Sequence, residues 1–597
     1  MSQPEGRLRQ LLHHIKDNFV PQQQEPPVPA NNTVHGPAAH TGPRVHNYHE
    51  LNPTQFLPKV AAINPDLPAI LHYSANGTRL EYNYGEWSQR SCQLAYYMRK
   101  NTFKRNNVVA ILASNTPMML EAYFAIPAAG GRFTALNYRL QKSDIHYCLR
   151  KTKASTVLVD REYYDLVKEM AGEVDIVVDE DIDGKTGAYA EMLQEGQRIM
   201  DATAGTKGWA GLPYEEVDEN SDFCYMFTSG TTSLPKAVTF THRGVYMGAL
   251  GNLIDSQLNC GDAFGGNNAN YLWTLPIFHA AGWCFPWAVT LAQGRHITLR
   301  KMDYGNVWKL LNEEGVTHLC AAPTVCTLLI NHPDARKLER PARVIVAASP
   351  PSASLFKSMH ALNLNGIHVY GMTETYGPMM RGYFKPAWKE GSEADMYRNM
   401  ARQGHGFSTS RAVMVIKPQP EDHVHTGTEQ LVEVEHNGRE LGEIAIHGNL
   451  AMKGYYDDVE ATRLTFRSNY LLTGDLAVVH PDGYVEIQDR GKDVIISGGE
   501  NISSIEVESC ILKMPAVLEC AVVAKKDEKW GEIPVAVLTC KNGQAVSQDE
   551  VIAWARKTLA GYKVPKEVVL VKDLPKTGTG KVQKNVLRAK IKAGEAL

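Results

Sequence analysis

From Asn107 onward, short apolar runs alternate along the chain with stretches of helical period. VVAILASN, STVLVD, YLWTLPIF, THLCAAPT, RVIVAASPP and GIHVYGMTE each end in a polar loop containing glycine or proline. Strands separated by helices imply parallel sheets, whose ligand sites lie beyond the carboxyl ends of the strands. After about Gly404 the pattern turns to hairpin-like strands, EIAIHG and YVEIQDR, with a turn signal at Pro481 to Gly483, which predicts a smaller β-rich subdomain. Past Arg490 a separate α+β unit is expected, with strands in AVVAKKD, IPVAVLTC and EVVLVKDLP and a lysine-rich tail. There is no internal repeat.

The first residues follow another pattern. Leu8, Leu11, Leu12, Ile15 and Phe19 recur at helical spacing within RLRQLLHHIKDNFV, an amphipathic helix. It runs into PQQQEPPVPANNTVHGPAAHTGPRV, too poor in large apolar residues to fold by itself, so the helix sits on a tether. Such a helix can dock structurally, lie on a membrane surface or serve as an address.

Length and composition narrow the class. At 597 residues the chain is too long for one core, and 44% apolar with 21% charged residues is ordinary for a globular protein. A net charge of −3, with lysines dispersed except in the last forty residues, argues against nucleic acid, and no apolar run reaches the ~18 residues of a membrane span. The 10 cysteines include no Cys-x-x-Cys pair and read as reduced, buried thiols of a soluble intracellular protein.

Four stretches carry chemistry. FTSGTTSLPKAVTFTHRG (Phe227–Gly244) lacks the spacing of a Walker loop. Its small residues nevertheless let backbone N–H groups approach an anion, its hydroxyls donate, and Lys236 adds a mobile charge. A solvent-exposed turn would have the same composition. VYGMTETYG offers Tyr370 for a base, Thr373 for a phosphate and Glu374 for Mg²⁺, although a capped helix start would look alike. The third stretch, Tyr470 to Glu508, contains Asp475, Arg490, Lys492, Gly498 and Gly499; the fourth, LPKTGTGKVQK, contains Lys581. Singly, each charged residue would suit a solvated surface.

In this order the four stretches resemble the adenylate-forming superfamily of acyl-CoA synthetases, luciferases and peptide-synthetase adenylation domains, over about Asn47 to Lys584. The resemblance implies an α/β fold: a large N-terminal domain of two doubly wound parallel-sheet subdomains plus a small β-barrel, then a smaller mobile α+β domain. The expected boundaries are a targeting helix and tether at 1–46, an adenylation domain at 47–490 and a mobile domain at 491–597. It further implies ATP, Mg²⁺ and coenzyme A. Carried onto this sequence, Thr228, Ser229, Gly230, Thr231, Thr232, Ser233 and Lys236 would hold the β- and γ-phosphates. Ser349, Pro350, Tyr370, Gly371 and Met372 would form the adenine pocket, Asp475 would take the ribose and Arg490 would assist. Thr373 would touch the α-phosphate, Glu374 would hold the metal, and Lys581 would bridge carboxylate and α-phosphate. Lys492 matches the hinge about which the last domain rotates, replacing Lys581 by Ser497, Gly498, Gly499 and Glu500 for coenzyme A. Glycine is the commoner residue where Ser233 and Ala237 stand, and Ala237 would be strained if its φ were positive.

For the acid, His279 resembles the gate beside the carboxylate and Trp283 a wall of the acyl pocket, although core packing would equally place a tryptophan there. PIFH lacks the aspartate with which amino-acid-activating relatives meet the amine. HAAGWCFPW and YGMTETYGP are most similar to plant and fungal ligases of small and medium acids, often peroxisomal. Arg7, Leu8, His14 and Ile15 resemble the N-terminal peroxisomal signal, with isoleucine at its last position, and imply an import receptor; acidic Glu5 and Asp17 weigh against a mitochondrial presequence. Together these features are similar to fungal ligases that make mevalonyl-CoA for siderophore synthesis. A medium-chain fatty acyl-CoA ligase and a non-catalytic nucleotide-binding scaffold are the alternatives.

Overall fold

The computed structural model describes residues 48–103, 107–228, 234–259, 268–418, 430–498, 500–541, 543–577 and 580–595. All but Tyr48 belong to one unit, His49–Leu597. The expected targeting residues Arg7, Leu8, His14 and Ile15 lie outside the described residues, as do Ser229 to Ser233 and Gly499.

Two large sheets carry the alternating pattern. Along the nine-stranded sheet the order is His405–Gly406, Gly377–Arg381, Leu364–Met372, Ala342–Val346, His318–Ala321, Asn270–Trp273, Arg295–Thr298, Pro68–Tyr73 and Arg79–Asn83. Its interior pairs are parallel and its edges antiparallel. The seven-stranded sheet runs Gly454–Tyr455, Ala237–Thr241, Asp222–Phe227, Arg132–Ala135, Val108–Leu112, Thr156–Asp160 and Asp175–Asp179. Every residue of Val108–Leu112 and Thr156–Asp160 is buried, which is why those runs are continuous in apolar character instead of alternating. Local signals fix helix starts: Asn83 and Glu86 form a reciprocal capping box on Tyr84–Tyr97, and Pro117 opens the wholly buried helix Pro117–Ala128.

A buried ionic clamp ties strand ends of the two sheets together. Arg300, just past Arg295–Thr298, pairs with Asp160 at 2.9 Å and with Asp181, and His72 meets Asp181 at 3.0 Å. Removing one partner would leave a buried charge less well compensated, so the cluster favours keeping these strand ends together.

The β-rich part is a five-stranded antiparallel sheet of Met414–Ile416, Gly442–Ile446, Tyr470–Val479, Phe466–Arg467 and Val485–Arg490; no pairing among the described residues closes it into a barrel. The last sheet joins Glu500–Ile502, Ile495–Ser497, Gly531–Cys540, Val517–Asp527 and Glu567–Leu570, backed by Ser504–Ile511, Gln548–Ala555 and Lys584–Ala593. Its own core includes Ile495, Val507, Ile511, Val522 and Leu538. The nine cysteines among the described residues are free and eight are buried, as a reduced protein requires. No helix among those residues is long and apolar enough to cross a membrane.

Candidate active site

A cavity of about 760 Å³ opens between the sheets and the last α+β unit. Ser349, Pro350, Tyr370, Gly371, Asp475 and Arg490 line it from one side, Lys492 and Lys581 from the other. Residues far apart in sequence are gathered here by topology. Tyr370 and Gly371 end the strand Leu364–Met372, Ser349 and Pro350 follow Ala342–Val346, and Asp475 faces Arg490 across an antiparallel pair. The predicted loops therefore do lie at carboxyl ends of neighbouring parallel strands.

Asp475 is the hub. The Tyr370 hydroxyl donates to its Oδ2 at 2.7 Å and Arg490 Nε stands 3.1 Å from its Oδ1. A carboxylate offers about four acceptor positions, so roughly two stay open for vicinal hydroxyls. Burial raises the Tyr370 phenol far above its ordinary value, which keeps it a donor.

Lys581 reaches this hub from a docked loop. The Thr324 hydroxyl donates to the Gly580 carbonyl at 2.7 Å, and Gly580 has φ +82 with a would-be Cβ only 2.9 Å from Thr324 Oγ1. Glycine is required on both counts. Desolvation, and then the Arg490 guanidinium, pull the Lys581 amine down to about 8, opposed by Asp475 and Asp493. Lys492 stands in a turn closed by the Asp493 N–H on the Arg490 carbonyl (2.8 Å). Across that turn, Asp489 accepts from both the N–H and the hydroxyl of Ser504 at 2.6 Å.

Next to the hub lies a second cluster. Thr373 and Glu374 start a short 3₁₀ turn, with Met372 as its cap, so the motif continues a strand and does not open an α-helix. Glu374 is buried and its carboxylate rises in pKa through desolvation, offset by a 2.8 Å hydrogen bond from the Tyr455 hydroxyl. Arg490 and Asp475 are within electrostatic reach of it. The phosphate stretch is a β-hairpin: Phe227 pairs with Ala237, and the Thr228 N–H donates to the Lys236 carbonyl at 2.9 Å. Ala237 is a buried strand residue without positive φ, which removes the expected strain.

His279 leads into, and Trp283 stands on, a run of positive-φ backbone. Ala280, Ala281, Gly282, Trp283 and Cys284 have φ of 44, 49, 55, 55 and 63, a left-handed turn. Left-handed backbone costs L-residues about 1–2 kcal/mol each. Opposing contacts hold it: Asn252 Nδ2 donates to the Trp283 carbonyl at 2.7 Å, the Cys284 thiol to the Tyr376 carbonyl at 3.3 Å, and Gly377 leaves room where a Cβ would lie 2.8 Å from Trp283. Burial, then the positive charges of Lys581 and Arg139, drive the His279 imidazole down to about 4. At pH 7 it is therefore a neutral hydrogen-bonding group beside a cation.

Ser497, Gly498 and Glu500 do not line the cavity. They form a separate hairpin, Ser497 pairing with Glu500 and the Gly498 N–H donating to the Trp530 carbonyl at 2.7 Å. Sequence reasoning also passed over Thr324, Tyr455 and Asp489, whose partners lie far away in the chain.

The model of the AMP-binding enzyme family matches residues 57–456, and that of its C-terminal domain matches 506–581. The chain belongs to the AMP-binding enzyme family. The enzyme is 36% identical over 92% of its length to an acetate–CoA ligase of Humulus lupulus, covering 96% of that protein. It is equally 36% identical to a peroxisomal acetate/butyrate–CoA ligase of Arabidopsis thaliana, over 92% and 95% of the two chains. Its fold matches ATP-bound MatB from Rhodopseudomonas palustris with a TM-score of 0.74 at 24% identity, over 91% and 100% of the chains. The protein is accordingly an AMP-forming acid–thiol ligase with ATP and coenzyme A as co-substrates and Mg²⁺ as cofactor.

The residues fit that metal. Mg²⁺ keeps several waters and takes one or two carboxylates plus substrate phosphates. Glu374 supplies one buried carboxylate without a lysine or arginine ion pair among the described residues, and no cluster of three or more ligating side chains exists among them to offer a cage. When bound, the ion would neutralise phosphate charge.

Proposed function

We propose that this ligase activates a small carboxylic acid by attack of its carboxylate on the α-phosphate of ATP, and then passes the acyl group to the thiol of coenzyme A. One observation carries the reading: Lys581 lines the same cavity as Tyr370, Asp475 and Arg490. In this reading Tyr370 covers the adenine with Ser349, Pro350, Gly371 and Met372 around it, and Asp475 spends its open acceptor positions on the ribose. Lys581 and Thr373 meet the α-phosphate, where negative charge builds up in the transition state. Thr228, Lys236 and the hairpin tip between them grip the departing pyrophosphate, and Glu374 holds the metal. His279, uncharged, orients the carboxylate without an ion pair that would blunt its nucleophilicity. Lys492 is the hinge that exchanges Lys581 for the Ser497–Glu500 hairpin.

A small acid is supported by relatives named for acetate and butyrate, and by the rigid seat of Trp283 beside His279. Mevalonate is the acid we put forward, with siderophore synthesis as its use, from the likeness of HAAGWCFPW and YGMTETYGP to plant and fungal ligases of small and medium acids taken together with the Arg7–Ile15 segment. A peroxisomal location through the Arg7–Ile15 segment and its import receptor accords with the peroxisomal relative. Pyrophosphate release should be screened over acetate, butyrate, octanoate, mevalonate and an aromatic acid, with and without coenzyme A. We expect a single burst without coenzyme A, turnover with it, and the highest kcat/KM for mevalonate. Rates rising with chain length by about 0.8 kcal/mol per methylene would replace mevalonate by a fatty acid. ATP binding without any acid-dependent pyrophosphate release would leave only the scaffold.

A further inference from the structure

The two groups assigned to the pyrophosphate side, Glu374 and Lys236, adjoin strands of different sheets, Leu364–Met372 and Ala237–Thr241. One segment, Met452 to Tyr456, touches both. The Met452 N–H donates to the Glu374 carbonyl at 2.8 Å. The Tyr455 hydroxyl donates to the Glu374 carboxylate at 2.8 Å, and the Lys236 ammonium lies 4.9 Å from the centre of the Tyr455 ring. Gly454–Tyr455 also pairs antiparallel with Ala237–Thr241, the strand that descends from the phosphate hairpin, placing Tyr455 opposite Val238. Its own N–H is fixed by Thr462 Oγ1 at 2.9 Å. One side chain thus aims a carboxylate with its hydroxyl and seats an ammonium with its ring face. The two interactions use different atoms, so they can be removed separately.

We infer that Tyr455 is a positioning residue of the adenylation reaction, setting the metal-holding carboxylate and the phosphate-gripping lysine at a fixed separation. The inference rests on the assignment of Glu374 to the metal and Lys236 to the phosphates. Neighbours that orient a ligating carboxylate govern metal affinity nearly as strongly as the ligand itself. An ammonium seated on an aromatic face is held by its charge yet keeps its N–H groups available to an anion.

The test compares Tyr455→Phe and Tyr455→Leu with Glu374→Gln in the full chain, each checked by thermal melting. Calorimetry measures binding of a non-hydrolysable ATP analogue across a Mg²⁺ titration, and binding of inorganic pyrophosphate without metal. ATP–pyrophosphate exchange is followed in parallel. Tyr455→Phe should raise the Mg²⁺ concentration for half-maximal analogue binding about 10-fold, within the range for lost support of a metal ligand. Metal-free pyrophosphate binding should stay unchanged, because the ring remains. Tyr455→Leu should show the same magnesium shift and also weaken metal-free pyrophosphate binding about 3-fold. An unshifted magnesium dependence in Tyr455→Phe, with Glu374→Gln strongly shifted, would overturn the role of Tyr455 alone. An unshifted dependence in Glu374→Gln would overturn the metal assignment beneath it. A uniform fall in exchange rate with both binding measurements at wild-type values would reduce Tyr455 to ordinary packing.

Discussion

The Lys581 loop and the Ser497–Glu500 hairpin belong to the same small α+β unit, yet the structure treats them differently. The first is docked through Thr324 and lines the cavity with Tyr370 and Asp475. The second is folded on Trp530 and Gly531, and its described residues do not line that cavity. Of the two motifs proposed for one reaction, only the first meets the cavity in this arrangement. In the proposed reading this arrangement suits adenylate formation, and thioester formation would use another orientation of the same unit, reached by turning near Lys492. The bonds from Asp489 to Ser504 span Lys492, so the proposed rotation would have to strain or break them.

The largest expected break in this comparison is Lys581→Ala, which should lower ATP–pyrophosphate exchange by about 1,000-fold, the cost of removing a charge-stabilising donor. Transfer from a supplied acyl-adenylate to coenzyme A should stay close to wild type; equal loss in both half-reactions would remove Lys581 from its role. Next, Lys492→Pro should preserve most of the exchange while cutting thioester output about 100-fold, the penalty for a misplaced reacting group. Normal output would move the hinge elsewhere. A smaller effect is expected from Thr324→Val, which deletes the hydroxyl holding Gly580. Losing one neutral hydrogen bond costs about 1 kcal/mol, or roughly five-fold in exchange, with the thioester step unharmed.

The smallest effect is on pH dependence. Lys581 must be protonated to attract phosphate, and its amine titrates at about 8 in the free enzyme. The kcat/KM for ATP in exchange should therefore fall as pH rises through that value. Lys581→Arg should move the alkaline limb to higher pH, because a guanidinium stays charged. A profile flat to pH 10 in the wild type would contradict the buried environment described for Lys581.

That Lys581, Asp475 and Tyr370 belong together was legible through the resemblance their motifs carry, and the apolar run ending in GIHVYGMTE put Tyr370 at a strand end. The strands Pro68–Tyr73 and Arg79–Asn83 were not announced, because the alternation begins only at Asn107. Thr324, Tyr455 and Asp489 were missed for a different reason. Each looks ordinary in its own segment and acquires a role from a partner 256, 81 or 15 residues away. Ala237 shows the reverse case: its departure from the pattern would have meant strain only at a positive φ, and the hairpin simply begins its second strand there.

The left-handed turn at Ala280–Cys284 has a consequence for the acyl pocket that Trp283 is proposed to wall. Handedness does not change by degrees: the turn either holds, with its bonds to Asn252 and Tyr376, or unwinds as a whole. A slightly bulkier acyl chain cannot ease Trp283 aside by a few tenths of an ångström. Tolerance at this wall should accordingly be stepwise, with acids accepted almost equally up to a threshold volume and refused sharply above it.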